Sequence, residues 1–339
     1  MSRFRTILAI VCLAAGCTAP QPPIDREALV GRNSPTVTSL DSLASLSVGN
    51  GEFALTVDAT GLQTFPELYS RGVPLGTQSQ WGWHSFANPE KYTHDETLRD
   101  YDFGRGRKEP YAVQFNEKGR PQRAADWYRV NPHRLHLGIL GFEGLAPEEI
   151  GDIRQQLDLW QGRIDSRFTA RGAATEVTTV CHPDKDMIAA DIRSAGRLPV
   201  VLRFPYPTGG HCDDACDWTR DRDHSSELVE HSAGHALIRR TIDATTYYVA
   251  LDFEGAELAQ RGRNRFVLTP TDDRYTLRAG FYADRPAEAQ PGTEATVAAA
   301  ADYWRSYWTE GGAVDFSGCK DPRVAALVRR VVLSQYLLG

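Results

Sequence analysis

The sequence lacks both a surplus of basic residues and the common catalytic motifs. Its 38 basic and 44 acidic side chains give a formal net charge of −6, and its basic runs are short, such as Arg329-Arg330. Nucleic-acid-binding proteins concentrate positive charge on one face, so we expect no nucleic-acid partner. A G-x-S-x-G elbow, an H-E-x-x-H zinc pair, a G-x-x-x-x-G-K-S/T phosphate loop and a Rossmann glycine pattern are all missing. We therefore predict no cofactor and no bound metal.

The first residues have the pattern of an export signal. Arg3 and Arg5 precede an apolar stretch from residue 7 to residue 15, which is too short to span a bilayer. This stretch runs into Leu13-Ala14-Ala15-Gly16-Cys17, and small residues directly before a cysteine are typical of a lipobox. The alternative is an ordinary secretory signal with a chance cysteine at position 17.

We therefore predict a lipoprotein signal peptide over residues 1–16 and lipidation of Cys17, followed by a tether and entry segment over residues 17–43. Acyl chains would hold the exported protein on a membrane without spanning it. The predicted location is the periplasm or the outer membrane, with the membrane as a partner through the lipid anchor.

Cysteine is scarce, with six in the whole chain. Removal of the signal and lipidation of Cys17 leave four of them: Cys181, Cys212, Cys216 and Cys319. An even number in an oxidising compartment permits disulfides. The first predicted pair is Cys212 with Cys216, because both lie in one short Gly/Asp-rich segment. The alternative is a metal site, since His211 and three aspartates crowd the same segment, although a single C-x3-C pair is weak evidence for zinc.

Apolar residues alternate with polar ones over most of the chain from about residue 44 to 283. Examples are Phe53/Leu55/Val57, Leu135/Leu137/Ile139, Ile188/Ala190/Ile192 and Tyr247/Val249/Leu251/Phe253. This period of two is typical of half-buried strands. Many such strands without a long helical pattern predict a mainly β fold, a large antiparallel β-sandwich over residues 44–283.

The pattern changes after residue 283. A Pro/Ala/Glu stretch leads into a predicted helix over residues 294–310, whose apolar stripe is Val297, Ala301, Trp304 and Trp308. We assign residues 284–320 to a helical linker. A second helix is predicted to start with Asp321 as N-cap and Pro322 at its first position, and residues 321–339 form a second helical unit.

Two aromatic segments are candidates for binding. In GTQSQWGWHSF (residues 76–86), an extended chain would place Trp81 and Trp83 on one side beside His84. Such a pair offers a stacking platform for sugar rings, whose C–H faces are apolar; the alternative is a hydrophobic plug under a loop. In WYRVNPHR (residues 127–134), Arg129 could clamp a hydroxyl or carboxylate, or form a structural ion pair at a strand–loop junction.

Three segments together carry a family resemblance. They are SLSVGNGEFALTVDATGLQTF (residues 45–65), GTQSQWGWHSF joined to WYRVNPHRLHLGILGF, and YWRSYWTEGGAVDFSGCKDPRVAALVRRVVLSQYLLG (residues 303–339). The set resembles six-hairpin glycosidase-like proteins akin to glycoside hydrolase family 65. The resemblance implies a supersandwich, then a helical linker, then an (α/α)6 catalytic barrel of which residues 321–339 would be the first helix.

The resemblance also implies a function. It implies that the chain is the N-terminal part of an exported glycoside hydrolase that acts on oligosaccharides, and that its sandwich supports an inverting catalytic barrel. The general-acid Glu of that barrel has no counterpart in this sequence. We therefore assign no catalytic residue and expect the chain to be inactive by itself. Trp81, Trp83, His84 and Arg129 become candidate substrate-side residues, and Trp304 and Trp308 become interface core. The alternative function is a non-catalytic carbohydrate-binding envelope lipoprotein.

Overall fold

The strands predicted from the period-two pattern are present in the structure, a computed structural model that describes residues 24–316 and 318–339. The predicted signal peptide and Cys17 lie outside the described residues. All paired strands are antiparallel, so the mainly β fold predicted from the sequence is confirmed. None of the helices in the described ranges has the length and apolarity that crossing a bilayer requires.

The described chain begins and ends with helices, and strands make up most of what lies between them. The helices are α1 (Arg26–Gly31), α2 (Pro66–Tyr69), α3 (Arg120–Val130), α4 (Thr293–Glu310) and α5 (Val324–Tyr336), with short 3-10 helices at His94–Thr97 and Pro147–Glu149. The strands are β1 (Thr36–Val37), β2 (Leu46–Gly49), β3 (Phe53–Val57), β4 (Thr77–Ser79), β5 (Trp83–His84), β6 (Leu98–Asp102), β7 (Lys108–Ala112), β8 (His133–Arg134), β9 (Ile139–Phe142), β10 (Ile150–Asp158), β11 (Arg163–Ala170), β12 (Ala173–Cys181), β13 (Met187–Ser194), β14 (Val200–Arg203), β15 (Tyr206–Pro207), β16 (Cys216–Asp217), β17 (His224–Ser232), β18 (His235–Ile242), β19 (Thr245–Glu254), β20 (Ala256–Gly262), β21 (Arg265–Pro270) and β22 (Arg274–Tyr282).

One large sheet forms the base of the sandwich. Its nine strands run in the order β1-β10-β11-β12-β13-β22-β19-β18-β17. The four-stranded sheet β20-β21-β14-β9 and the three-stranded sheet β2-β3-β4 supply the facing side of one continuous hydrophobic core. Hydrogen bonds also join the layers. The Tyr247 hydroxyl donates to the Leu137 carbonyl over 2.9 Å, and the Thr179 hydroxyl donates to the Gly61 carbonyl over 2.7 Å.

The centre of the nine-stranded sheet is covered on both faces. Along β13, Ile188 and Ala190 belong to the sandwich core, whereas Ala189 packs with Val180 and with Ala300 of α4. A strand covered on both sides buries consecutive residues rather than alternate ones, and residues 187–190 are all buried. The helix α4 therefore forms a third layer behind the sheet.

The helix predicted over residues 294–310 is confirmed, and Trp304 and Trp308 are buried against neighbouring elements. The Trp308 Nε1–H donates to the Leu159 carbonyl over 2.7 Å, and the Trp304 ring stacks on Tyr336 of α5 at 4.4 Å. The buried stripe is Thr296, Ala300, Trp304 and Trp308, so the first two positions differ by one from the prediction. This shift turns Val297 and Ala301 to the margins of the contact.

The second predicted helix forms, but it starts later than predicted. α5 begins at Val324, with Arg323 as N-cap and no side-chain cap. The Asp321 carboxylate accepts from the Arg323 N–H over 2.9 Å instead, which stabilises a turn before the helix. Val328, Val332 and Tyr336 are the buried residues of α5.

Two features extend or interrupt the predicted sandwich. The segment before residue 44 contains α1, which buries Leu29 and Val30, and β1, which pairs with β10. β1, which lies in the predicted tether and entry segment, is therefore part of the nine-stranded sheet. Residues 120–130 form α3, so Arg129 lies on a helix and not at the expected strand–loop junction.

Candidate functional site

A groove of about 490 Å³ opens where β5, β8, the end of α3 and the loop 209–215 meet. Its lining includes six polar or aromatic side chains, which are Trp83, Arg129, Arg134, His211, Asp213 and Asp214. A volume of this size is within the range of small-molecule sites, roughly 300–1,000 Å³. The groove is therefore large enough for one or a few sugar-sized rings.

Trp83 is the exposed aromatic residue of the groove. It pairs with Arg134 across the β5–β8 ladder, and directly opposed residues place their side chains on the same face. The Arg134 Cζ lies 4.3 Å from the Trp83 ring centre, and 47% of Trp83 remains exposed. One face of the indole is thus covered by a guanidinium, which leaves the rest of the ring accessible.

Arg129 reaches the groove from the last turn of α3. Its Nη2 lies 2.8 Å from the Nε2 of His211. A guanidinium can only donate, so His211 accepts through Nε2 and is neutral at that nitrogen. The pair joins α3 to the loop 209–215 and leaves most guanidinium N–H groups of Arg129 unused.

The loop opposite Trp83 depends on a glycine. Gly209 has φ +70°, and a Cβ at this position would lie 2.8 Å from both the Cβ and the carbonyl oxygen of Val130. Only glycine adopts this conformation freely while allowing such a close approach. The loop can therefore pack directly on the end of α3, which brings His211 to Arg129.

Two aspartates shape the same loop. The Asp213 Oδ1 accepts from the Ala215 N–H over 2.9 Å, and the Asp214 Oδ1 accepts from the Cys216 N–H over 3.3 Å. Burial raises the pKa of Asp214, with a smaller contribution of the same sign from the charge of Asp213. Both carboxylates stabilise the loop's own backbone while facing the groove.

His136 lies at the floor of the groove and is fully committed to backbone groups. Its Nε2–H donates to the Leu75 carbonyl over 3.0 Å, and its Nδ1 accepts from the Gly138 N–H over 3.2 Å. Burial lowers the pKa of His136 to about 4. The imidazole is therefore neutral near pH 7, and its role is to hold two backbone segments together.

Trp81 does not share a platform with Trp83. The Gly82 N–H donates to the Ser79 carbonyl, so the chain turns at Gln80 and Trp81 instead of staying extended. The Trp81 Nε1–H donates to Asp186 over 2.7 Å, and its ring packs 5.9 Å from Tyr247. Trp81 thus packs against the core rather than lining the groove.

His84 also lies away from the groove surface. It follows Trp83 on β5, and successive strand residues point to opposite faces. It is only 2% exposed, with Nδ1 2.8 Å from the Thr245 hydroxyl and Nε2 3.2 Å from Asp243. Burial lowers the pKa of His84, and the nearby Asp243 opposes this effect. His84 is therefore a buried, hydrogen-bonded core residue.

The structure therefore brings together two of the four candidate binding residues, Trp83 and Arg129. It adds Arg134 and His211, which sequence reasoning did not single out as binding residues. Arg134 had one available signal, its place in the same segment as Arg129. No sequence feature indicates that His211 meets Arg129, because 82 positions separate them.

The cysteines near the groove are free thiols in the structure. Cys212 is exposed and Cys216 is partly buried, so the disulfide predicted between them is not formed there. The Cys216 thiol instead donates to the Asp214 carbonyl over 3.1 Å, and burial raises its pKa. Within the described ranges, no group of three or more His, Cys, Asp or Glu side chains is placed to hold a metal ion.

No protein-family model matches the sequence, and no curated protein matches it either. Among solved structures, a putative kojibiose phosphorylase from human microbiome aligns with 88% of this chain and 37% of its own, at 8% identity and a TM-score of 0.42. A polysaccharide lyase aligns with 74% of this chain and 32% of its own, at 10% identity and a TM-score of 0.17. The chain thus spans about a third of the length of each structure, and at these scores neither likeness assigns a family or an activity to it.

Proposed function

We propose that the groove binds carbohydrate, and that the chain is the N-terminal β-sandwich part of an exported glycoside hydrolase acting on oligosaccharides. The observation that carries the proposal is Trp83: an exposed indole, fixed on one side by Arg134, in a groove lined with polar groups. Sugar rings combine apolar C–H faces with hydroxyl edges. An aromatic face beside hydrogen-bonding side chains is complementary to both.

The polar groups of the groove are suited to hydroxyl recognition. Arg129 and Arg134 supply N–H donors, while Asp213 and Asp214 supply acceptor oxygens. Donors and acceptors that line one groove can bind different hydroxyls of one sugar ring.

Catalysis is proposed to reside in a helical domain of the longer enzyme, with α5 as its first helix. Leu327 of α5 and Leu337 and Leu338 directly after it are exposed, and exposed apolar side chains favour a covering partner. The isolated chain is then expected to bind oligosaccharides without cleaving them. The alternative is a non-catalytic carbohydrate-binding envelope lipoprotein that uses the same groove residues of this chain.

Membrane anchoring through Cys17 is part of both proposals. We expect the wild-type protein to fractionate with membranes and a Cys17→Ser variant to be released. Membrane retention of the Cys17→Ser variant would contradict the lipid anchor, and it would leave the binding proposal unaffected.

The binding proposal is tested by titrating the purified chain with neutral and acidic hexasaccharides in a calorimeter. Trp83→Ala is expected to weaken binding about tenfold, equivalent to about 1.4 kcal/mol. Trp218→Ala is the matched control, because Arg203 lies 4.3 Å from the Trp218 ring centre in the same kind of pair outside the groove. A folded wild-type protein that binds none of the saccharides would refute carbohydrate binding. Equal losses in both variants would place the binding site elsewhere.

A further inference from the structure

We infer that the saccharide bound in the groove is acidic, with the carboxylate of a uronic acid recognised by Arg129 and Arg134. The inference rests on the proposed function and adds the charge of the ligand to it. Its basis is a pair of guanidinium groups that face one groove without any carboxylate partner among the described residues.

Arg129 has one polar partner in the described part of the chain, the His211 Nε2 at 2.8 Å. That partner accepts through a neutral nitrogen, so the contact is not an ion pair. Four of the five guanidinium N–H groups are not used by this bond. They remain available to a ligand that enters beside Trp83.

Arg134 is arranged in a similar way. Its Nη1 donates to the Ser79 carbonyl over 2.6 Å, and its Cζ lies over the Trp83 ring. Both contacts fix the position of the guanidinium without neutralising it. A guanidinium that is already oriented loses little conformational freedom when it binds an anion.

The nearby aspartates do not form ion pairs with these two arginines. Within the described residues, no carboxylate oxygen lies within 4.0 Å of Arg129 or Arg134, although both Asp213 and Asp214 line the groove. Arg203, just outside the groove, shows the contrast, because its Nη2 is 2.9 Å from Glu67. Arg129 and Arg134 therefore form no ion pair in the described part of the groove, whereas Arg203 outside it forms one.

A uronic acid fits this arrangement by shape as well as by charge. Its carboxylate projects from the edge of the sugar ring, so a ring bound in the groove beside Trp83 can direct that group toward the guanidinium groups that line the same groove. Carboxylates accept two parallel N–H bonds from an arginine fork. A neutral sugar could accept from the same donors only through uncharged hydroxyl oxygens, which form weaker bonds than a carboxylate.

The test compares acidic hexasaccharides with their own methyl esters, which keep the sugar and linkage and remove the charge. The probes are hexagalacturonate, hexamannuronate and hexaglucuronate, titrated calorimetrically into the wild-type chain and into two variants. We expect at least one acid to bind about tenfold more tightly than its ester. Arg129→Gln should remove most of this preference, because it weakens the binding of the acid more than the binding of the ester.

The matched control is Arg203→Gln, which removes a paired arginine outside the groove and should keep the preference. The inference is overturned if esters or neutral hexasaccharides bind as tightly as the acids, and carbohydrate binding then stands. It is also overturned if Arg129→Gln retains the full preference. If no acidic, esterified or neutral saccharide binds to the folded protein, the proposed function itself has failed.

Discussion

The guanidinium of Arg134 lies over the indole of Trp83, with its Cζ 4.3 Å from the ring centre. The two residues are directly opposed in the two-residue ladder of β5 and β8. Arg134 is held in turn by the Ser79 carbonyl. A short ladder and one backbone hydrogen bond therefore determine how the main aromatic residue of the groove is presented to a ligand.

The Trp83–Arg134 contact is expected to contribute a small, measurable coupling to stability. A partly exposed cation–π pair is worth about 0.5–1 kcal/mol. A double-mutant cycle with Trp83→Ala and Arg134→Ala, followed by urea unfolding, should return a coupling energy of that size. The equivalent cycle on Trp218 and Arg203 provides a control with the same 4.3 Å geometry. A coupling of zero in the first cycle alone would show that the groove pair is not maintained in solution.

His136 is expected to make the protein less stable in mild acid. Its pKa is about 4 in the folded protein because of burial, against 6.5 for an exposed imidazole. The unfolded chain therefore binds the proton more readily, and stability falls as the pH drops from 6.5 toward 4. Between about pH 7.5 and pH 5 the loss is roughly 2 kcal/mol.

The contribution of His136 can be isolated by comparison with His136→Gln, whose amide can still donate to the Leu75 carbonyl. The free energy of unfolding of both proteins is measured in urea at the two pH values, so that other titrating groups cancel in the difference. The variant should be less stable near pH 7.5 and should lose less stability on acidification. Identical pH slopes would show that His136 does not titrate as described.

Arg240 is expected to be essential for the packing of the sandwich. It is fully buried and donates to the Asn264 side chain over 2.8 Å and to the His224 Nδ1 over 2.8 Å, while its Cζ lies 4.4 Å from the Phe204 ring centre. Burial lowers its pKa. Arg240→Ala leaves a cavity and unpaired acceptors. The free energy of unfolding should therefore fall by at least about 3 kcal/mol.

The neighbouring Arg239 provides the control for Arg240. It is exposed and pairs with Glu227, so Arg239→Ala should have only a small effect on the unfolding midpoint in urea. Arg240→Lys keeps the charge but not the planar fork and should lie between the two alanine variants. Similar midpoints for Arg240→Ala and Arg239→Ala would contradict the structural role of Arg240.

The four described cysteines are expected to differ in reactivity. Cys212 and Cys319 are exposed, whereas burial raises the pKa of both Cys181 and Cys216. Since the thiolate is the reactive form, brief alkylation of the native protein should label Cys212 and Cys319 first. Peptide mass spectrometry gives the label at each position. Loss of both Cys212 and Cys216 from the thiol count after oxidation would instead support the disulfide predicted from the sequence.

Local patterns in the sequence were sufficient to predict most of the sandwich. Phe53, Leu55 and Val57 alternate with polar neighbours, and the structure buries all three on one face of β3. α4 was predictable for the same reason, since a helical period over eighteen residues is hard to mistake. α3 was missed because its buried residues are only Ala124 and Ala125, which give a weak apolar stripe.

The groove could be predicted only in part. An exposed aromatic beside polar residues indicated a binding segment, and Trp83 and Arg129 do meet in one groove. The same segment also suggested Trp81 and His84, which the structure directs elsewhere. A turn at residues 80–81 rotates Trp81 toward Asp186, and the strand alternation after Trp83 points His84 into the core.

The sequence by itself determined where the chain is extended, where α4 lies and which residues are apolar enough to form the core, because these depend on neighbours a few positions apart. The tertiary structure alone decided which polar residues meet. His84 finds Asp243 at a separation of 159 positions, and Arg129 finds His211 at a separation of 82. Such contacts depend on how the sheets stack and on where a loop such as the one at Gly209 can approach a helix end. A local periodicity in the sequence does not predict them.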